Sequence, residues 1–206
     1  PLMLYVPPHY DDHQSWPLYV DLHGSGESHF TSKIGDPNIF DEEALQIAVW
    51  GRGPRSGYVG LSEVDILEAI DYVTEYWNVD ENRIHLSGHS MGGGGTLILI
   101  ARFPDKFASG RSWAGFNDDL PLGNMTKVPL YLLHSDDDWL VPVTMEREAM
   151  HRLSSIGAKV IWDMTHGDGH AVNFNAAANS RSLAWVKRQS QTTPVSNIQF
   201  TAMDGL

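Results

Sequence analysis

Among the residues able to do chemistry, Ser90 is set apart by its neighbours. Gly88-His89-Ser90-Met91-Gly92 follows the short apolar run Ile84-His85-Leu86 and leads into four consecutive glycines, Gly92 to Gly95. A Gly-x-Ser-x-Gly pattern between a strand and a helix puts the serine on a tight turn, where small flanking residues avoid a clash and the hydroxyl rises above the sheet edge. An ordinary serine hydroxyl is a poor nucleophile at neutral pH, so the pattern requires a histidine base and an orienting acid further along. The plainer reading of the pentapeptide alone is a glycine-rich turn ahead of a helix.

Candidates for both partners follow downstream. His134-Ser135-Asp136-Asp137-Asp138-Trp139 supplies three competing acids, and Thr165-His166-Gly167-Asp168-Gly169-His170 supplies two competing bases. Upstream, His23-Gly24-Ser25-Gly26-Glu27 is a glycine-flanked loop at the end of a strand, where main-chain N–H groups are free to approach a developing oxyanion. The expected donors are the backbone amides of Ser25 and of Met91, the residue after the serine.

The elements that would carry these residues are legible from periodicity. Leu2, Leu4 and Val6 alternate until Pro7-Pro8, the signature of an edge strand. Pro17 to His23, Ala44 to Trp50, Arg83 to Ser90, Phe107 to Trp113, Val128 to His134 and Lys159 to Met164 read as further strands. Helical spacing appears from Ser62 to Trp77-Asn78, with Ser62 and Asp65 resembling an N-cap and Val64, Ile66, Leu67, Ile70 and Val73 forming an apolar face. Further helices are expected over Met91 to Arg102, Val141 to Ile156 and Ala176 to Lys187. Four glycines at the start of the second helix cost propensity, which implies close packing there. The alternation predicts an α/β fold, a mainly parallel sheet with helices on both faces. The loop holding Asn117, Asp118, Asp119, Pro121 and Gly123 separates two of the strands.

Composition narrows the function classes. The 206 residues suit one domain, 42% are hydrophobic, and the net charge of −12 repels nucleic acid and anionic membrane surfaces. A neutral substrate is the natural partner. No apolar run has membrane-spanning length. With no cysteine in the chain, disulfides, thiolate metal sites and cysteine nucleophiles are excluded. Three adjacent aspartates are a weak metal signal, and serine hydrolysis calls for no metal or cofactor. Residues 1–190 are expected to form the catalytic domain. After Ser190 the linker-like Gln191-Thr192-Thr193-Pro194 precedes Val195, Ile198 and Phe200, read as the start of a further segment over 191–206.

The acid loop resembles that of the α/β-hydrolase superfamily, which often reads His-Gly-x-x-Asp-x-x-Val-Pro. Aligning His134 and Val141-Pro142 selects Asp138, although Ser135 replaces the usual glycine, and the family's Gly-x-Gly-His selects His170, with His166 as fallback. Leu-His-Gly-Ser-Gly-Glu at 22–27, Trp-Gly-Arg-Gly at 50–53, Val-Asp-Glu-Asn-Arg-Ile at 79–84 and Gly-His-Ser-Met-Gly-Gly at 88–93 resemble the bacterial esterase branch related to prolyl oligopeptidases. That branch includes feruloyl-esterase-like, acetylxylan-esterase-like and polyhydroxybutyrate-depolymerase-like proteins. The resemblance implies a Ser90, Asp138, His170 triad, an acyl-enzyme, a small-molecule or polysaccharide ester as substrate, and a secreted or periplasmic enzyme. A serine peptidase of prolyl-oligopeptidase type and a catalytically silent binding domain are the alternatives. Trp113 and Trp139 are the candidates to contact substrate, with Trp50 nearby. Core packing is the ordinary role of each tryptophan, and Arg52 and Arg55 are expected to pair with local acids.

Overall fold

A computed structural model describes residues 1–115 and 120–191. Asn117, Asp118 and Asp119 of the expected loop, and nearly all of the expected linker and tail, lie outside the described residues.

Seven strands form one sheet: β1 Leu2–Tyr5, β2 Trp16–Leu22, β3 Leu45–Val49, β4 Val79–His89, β5 Ser109–Trp113, β6 Leu130–Ser135 and β7 Val160–Thr165. Their order is β1-β3-β2-β4-β5-β6-β7, with β1 antiparallel at one edge and all other pairs parallel. The helices are α1 Leu61–Tyr76, α2 Met91–Arg102, α3 Val143–Ser155 and α4 Ala176–Val186. This is the mainly parallel α/β sheet that the alternation of patterns predicts. Successive side chains of a strand point to opposite faces, and the core divides accordingly. Leu18, Val20 and Leu22 of β2 and Leu130 and Leu132 of β6 pack with α1, α2 and Leu153 of α3. Tyr19, Tyr131 and Leu133, from the same two strands, pack on the other face with Phe40 and the α4 residues Leu183 and Trp185.

Several boundaries differ from expectation. β4 begins at Val79, not Arg83, because Trp16 pairs with Val79 across an irregularity in register. The polar residues Asp80, Glu81 and Asn82 hide that extension. Gly60, at φ 59°, precedes α1 in place of a Ser62 cap, and the Ser62 hydroxyl instead donates to the Gly51 carbonyl at 2.6 Å. Val64 is 40% exposed, so the buried stripe of α1 is Ile66, Ala69, Ile70 and Val73. Arg52 pairs with Asp65 at 2.9 Å. Among the described residues, no helix is long and apolar enough to cross a membrane.

Candidate active site

The site forms where β2, β4, β6 and β7 end on the same side of the sheet, as parallel strands require. The turn from β4 into α2 is possible only with small residues. A Cβ on Gly92 would overlap the Leu22 carbonyl, and one on Gly88 would run into the backbone of Gly92 and Leu22. The close approach lets Ser90 adopt φ 57°, ψ −117°. Such a conformation costs a non-glycine residue on the order of 1–3 kcal/mol. It is held because the Ser90 amide donates to the Trp113 carbonyl at 2.8 Å and the Ser90 carbonyl accepts from Gly94 N–H at 3.0 Å.

Three side chains then meet. His170 Nε2 lies 2.9 Å from Ser90 Oγ, and His170 Nδ1 lies 2.7 Å from Asp138 Oδ2. The other carboxylate oxygen, Oδ1, accepts from the amides of Leu140 and Val141, both at 2.9 Å. Burial alone would favour the neutral acid. Hydrogen bonds from His170, Val141 and Leu140 outweigh it and hold the Asp138 carboxyl below its ordinary range.

The adjacent aspartates act across the fold. Asp136 pairs with His166, 2.7 Å from Oδ1 to Nδ1, leaving that histidine exposed and engaged elsewhere. Asp137 accepts from the Ser135 hydroxyl at 2.5 Å and from the amides of Gly167 and Gly169 at 3.2 and 3.0 Å. These bonds hold its carboxyl below the ordinary range. The segment after β7 is thereby tied to the segment after β6. Gly167 and Gly169, at φ 79° and 54°, provide the left-handed backbone that the loop needs.

His89 escapes a motif search because it fills a variable position of the serine pattern. Its Nε2 donates to the His170 carbonyl at 2.7 Å, and the two rings lie 4.9 Å apart. Burial disfavours its imidazolium and keeps its pKa below the usual histidine value. A polar residue at the end of a buried strand, beside the serine, is the available signal.

On the other side, Glu27 accepts the Gly24 amide at 3.0 Å and Gly26 N–H donates to the Pro54 carbonyl at 2.7 Å. The loop around Ser25 is fixed by these two bonds. Met91 opens α2, where the first amides have no partner within the helix. Next to this loop lies an open recess lined by His23, Glu27, Phe40, His89, Trp113 and Phe174, among others. Trp113 itself is buried, with the Arg111 guanidinium 4.3 Å from its ring centre. Burial lowers the Arg111 pKa to about 10, and its guanidinium donates to the Ile39 carbonyl and to Ser182. Trp139 is the opposite case, being 79% exposed and lying beside Gly169, the residue before His170. Trp50 packs near His23 and His29.

The profile of the family described as "Putative esterase" matches residues 66–201, more than half of the chain. An acetylxylan esterase of Coprinopsis cinerea is 38% identical over 117 residues, covering 48% of this chain and 30% of that protein. The cutinase est1 of Thermobifida alba is 29% identical over 120 residues, covering 53% of this chain and 37% of that protein. The chain thus spans about a third of the length of these curated relatives. The crystal structure of a thermostable esterase superimposes with a TM-score of 0.78 at 22% identity, over 92% of this chain and 59% of that one, a likeness of fold.

Proposed function

The chain belongs to this esterase family, and we propose that it is a serine carboxylic-ester hydrolase in which Ser90 attacks, His170 carries the proton and Asp138 orients His170. The observation that carries this reading is the unbroken chain of contacts from Ser90 Oγ through both nitrogens of His170 to Asp138, at 2.9 and 2.7 Å. As Oγ bonds to the ester carbonyl carbon, its proton passes to His170 Nε2, and Asp138 stabilises the resulting imidazolium. The carbonyl oxygen, now negative, is received by the amides of Met91 and Ser25. Collapse of the intermediate breaks the bond to the alcohol, which leaves with the proton from His170. Water then attacks the acyl-serine, giving a proton to His170, and the acid departs as that proton returns to Ser90.

Acylated carbohydrate or aromatic esters are the proposed substrates. The exposed Phe174 at the recess, and the exposed Trp139 beside the histidine loop, supply flat apolar surface for a sugar ring or a phenolic acyl group. The name of the acetylxylan esterase relative favours an acylated carbohydrate, and that of the cutinase relative favours ester substrates more broadly. A catalytic unit over residues 1–190 and action outside the cytoplasm belong to the same proposal. A fluorophosphonate probe tests it: intact-mass and peptide analysis are expected to find one adduct, on the peptide carrying Ser90, and none in Ser90→Ala. A folded wild type that takes no label contradicts the reading.

A further inference from the structure

Asp138 faces two imidazoles. His134, near the end of β6, is fully buried, and its Nε2 lies 2.9 Å from the Val141 carbonyl and 3.2 Å from Asp138 Oδ2, the oxygen that also receives His170. Its Nδ1 lies 2.6 Å from Oε2 of Glu146, a fully buried residue of α3. A carbonyl oxygen cannot donate, so Nε2 carries a hydrogen. The distance at Nδ1 is that of a charge-assisted bond, so a second proton lies between His134 and Glu146. Glu146 Oε1 has no hydrogen-bond partner among the described residues, which leaves His134 as the group that compensates this buried carboxylate. Replacing either member therefore changes the charge beside Asp138.

We propose that His134, kept protonated by Glu146, is a positioning residue for Asp138: it anchors the carboxylate that orients His170 and offsets part of its negative charge. Glu146 from α3 and Asp138 from the loop after β6 are the charged groups facing His134, with His170 beyond Asp138. Burial opposes the imidazolium of His134, but the hydrogen bond and charge of Glu146, then Val141 and Asp138, raise its pKa. For Glu146 burial pushes upward and His134 opposes it, leaving its carboxyl above the ordinary range. In wild type the positive His134 competes with the charge that His170 takes up. Without it, the carboxylate is free to hold a proton on His170 at higher pH.

The inference rests on the proposed triad, and its test separates the two. The full chain is prepared with nitrogen-15 histidine, and His134 is assigned by its loss in His134→Gln. At pH 7 both ring nitrogens of His134 are expected to show the protonated signature in wild type, and only one in Glu146→Gln. With an activated acetate ester, Glu146→Gln is expected to move the acid limb of kcat/KM to higher pH, with KM changed by less than about twofold. His134→Gln moves the limb the same way, and the double variant moves it no further than either single change. A purely structural role would lower stability and leave the limb in place. Ser90→Ala is run alongside. If it retains activity, the triad reading fails and this inference falls with it. If it is inactive, an unmoved limb, or a singly protonated His134 in wild type, overturns this inference alone. Should a variant not fold, His134 is assigned in wild type uniformly labelled with carbon-13 and nitrogen-15, by correlation of its ring to its own backbone, and the wild-type spectrum still decides.

Discussion

Asp137 Oδ1 holds the amide of Gly169 at 3.0 Å, so the residue before the proposed acid is bonded to the residue before the proposed base. The same oxygen accepts Gly167 N–H at 3.2 Å. The relative placement of Asp138 and His170 is therefore built into two loop backbones rather than left to one side-chain contact. Asp137→Ala is expected to lower kcat for ester hydrolysis by roughly tenfold or more through misplacement of His170, with a smaller change in KM. Asp137→Asn, which keeps one acceptor, recovers part of the loss. Steady-state kinetics of the two variants check this, and wild-type kcat in Asp137→Ala contradicts it.

The glycines of the serine turn predict a contrast in stability. Gly92→Ala puts a methyl onto the Leu22 carbonyl, a backbone atom that cannot move without displacing β2. A loss of roughly 3 kcal/mol or more, or failure to accumulate folded protein, is expected. Gly123 has open space around it and no positive φ, so Gly123→Ala stays within roughly 0.5 kcal/mol of wild type. Urea denaturation of both variants is the measurement, and similar midpoints contradict the account.

Asp21 gives a prediction in pH. Its carboxyl is buried and accepts the Ser32 hydroxyl at 2.6 Å, and burial raises its pKa from 3.8 to about 6. Because the folded-state value lies above the unfolded one, the folded protein binds the proton more tightly, and the stability from this group is lost as pH rises from about 4 to about 6. Asp21→Asn removes that dependence. At pH 7 the variant gains up to roughly 3 kcal/mol relative to the comparison at pH 4. Denaturation at the two pH values checks the sign, and a constant difference between the proteins contradicts it.

Much of the candidate site's geometry was legible because its residues lie in short local patterns. Ser90 sits in a five-residue pattern, and α2 runs from Met91 to Arg102 as its spacing predicts. The family's loop patterns selected Asp138 and His170 over their neighbours, and those two side chains meet Ser90 in space. What escaped is what depends on distant partners. Glu146 reads as an ordinary polar residue of α3, and only the folded chain shows its carboxylate against His134. Arg111 lies in a buried strand where a cation is unexpected, and Phe40, from a segment far away in sequence, flanks it together with Trp113 of the same strand. Asp136 and Asp137 gain their roles from Gly167, Gly169 and His166, some 30 residues away. The same limit hid the start of β4, where Val79 pairs with Trp16 of β2 and no apolar pattern marks the residues that follow.

The central claim is that Ser90 is the nucleophile of an ester hydrolase. Hydrolysis of p-nitrophenyl acetate at neutral pH by wild type and Ser90→Ala, with matched circular dichroism spectra and thermal midpoints, tests it most directly. The account predicts turnover by wild type and a fall in kcat of roughly a thousandfold or more in the variant. Equal rates in the two folded proteins would remove Ser90 from the chemistry and contradict it.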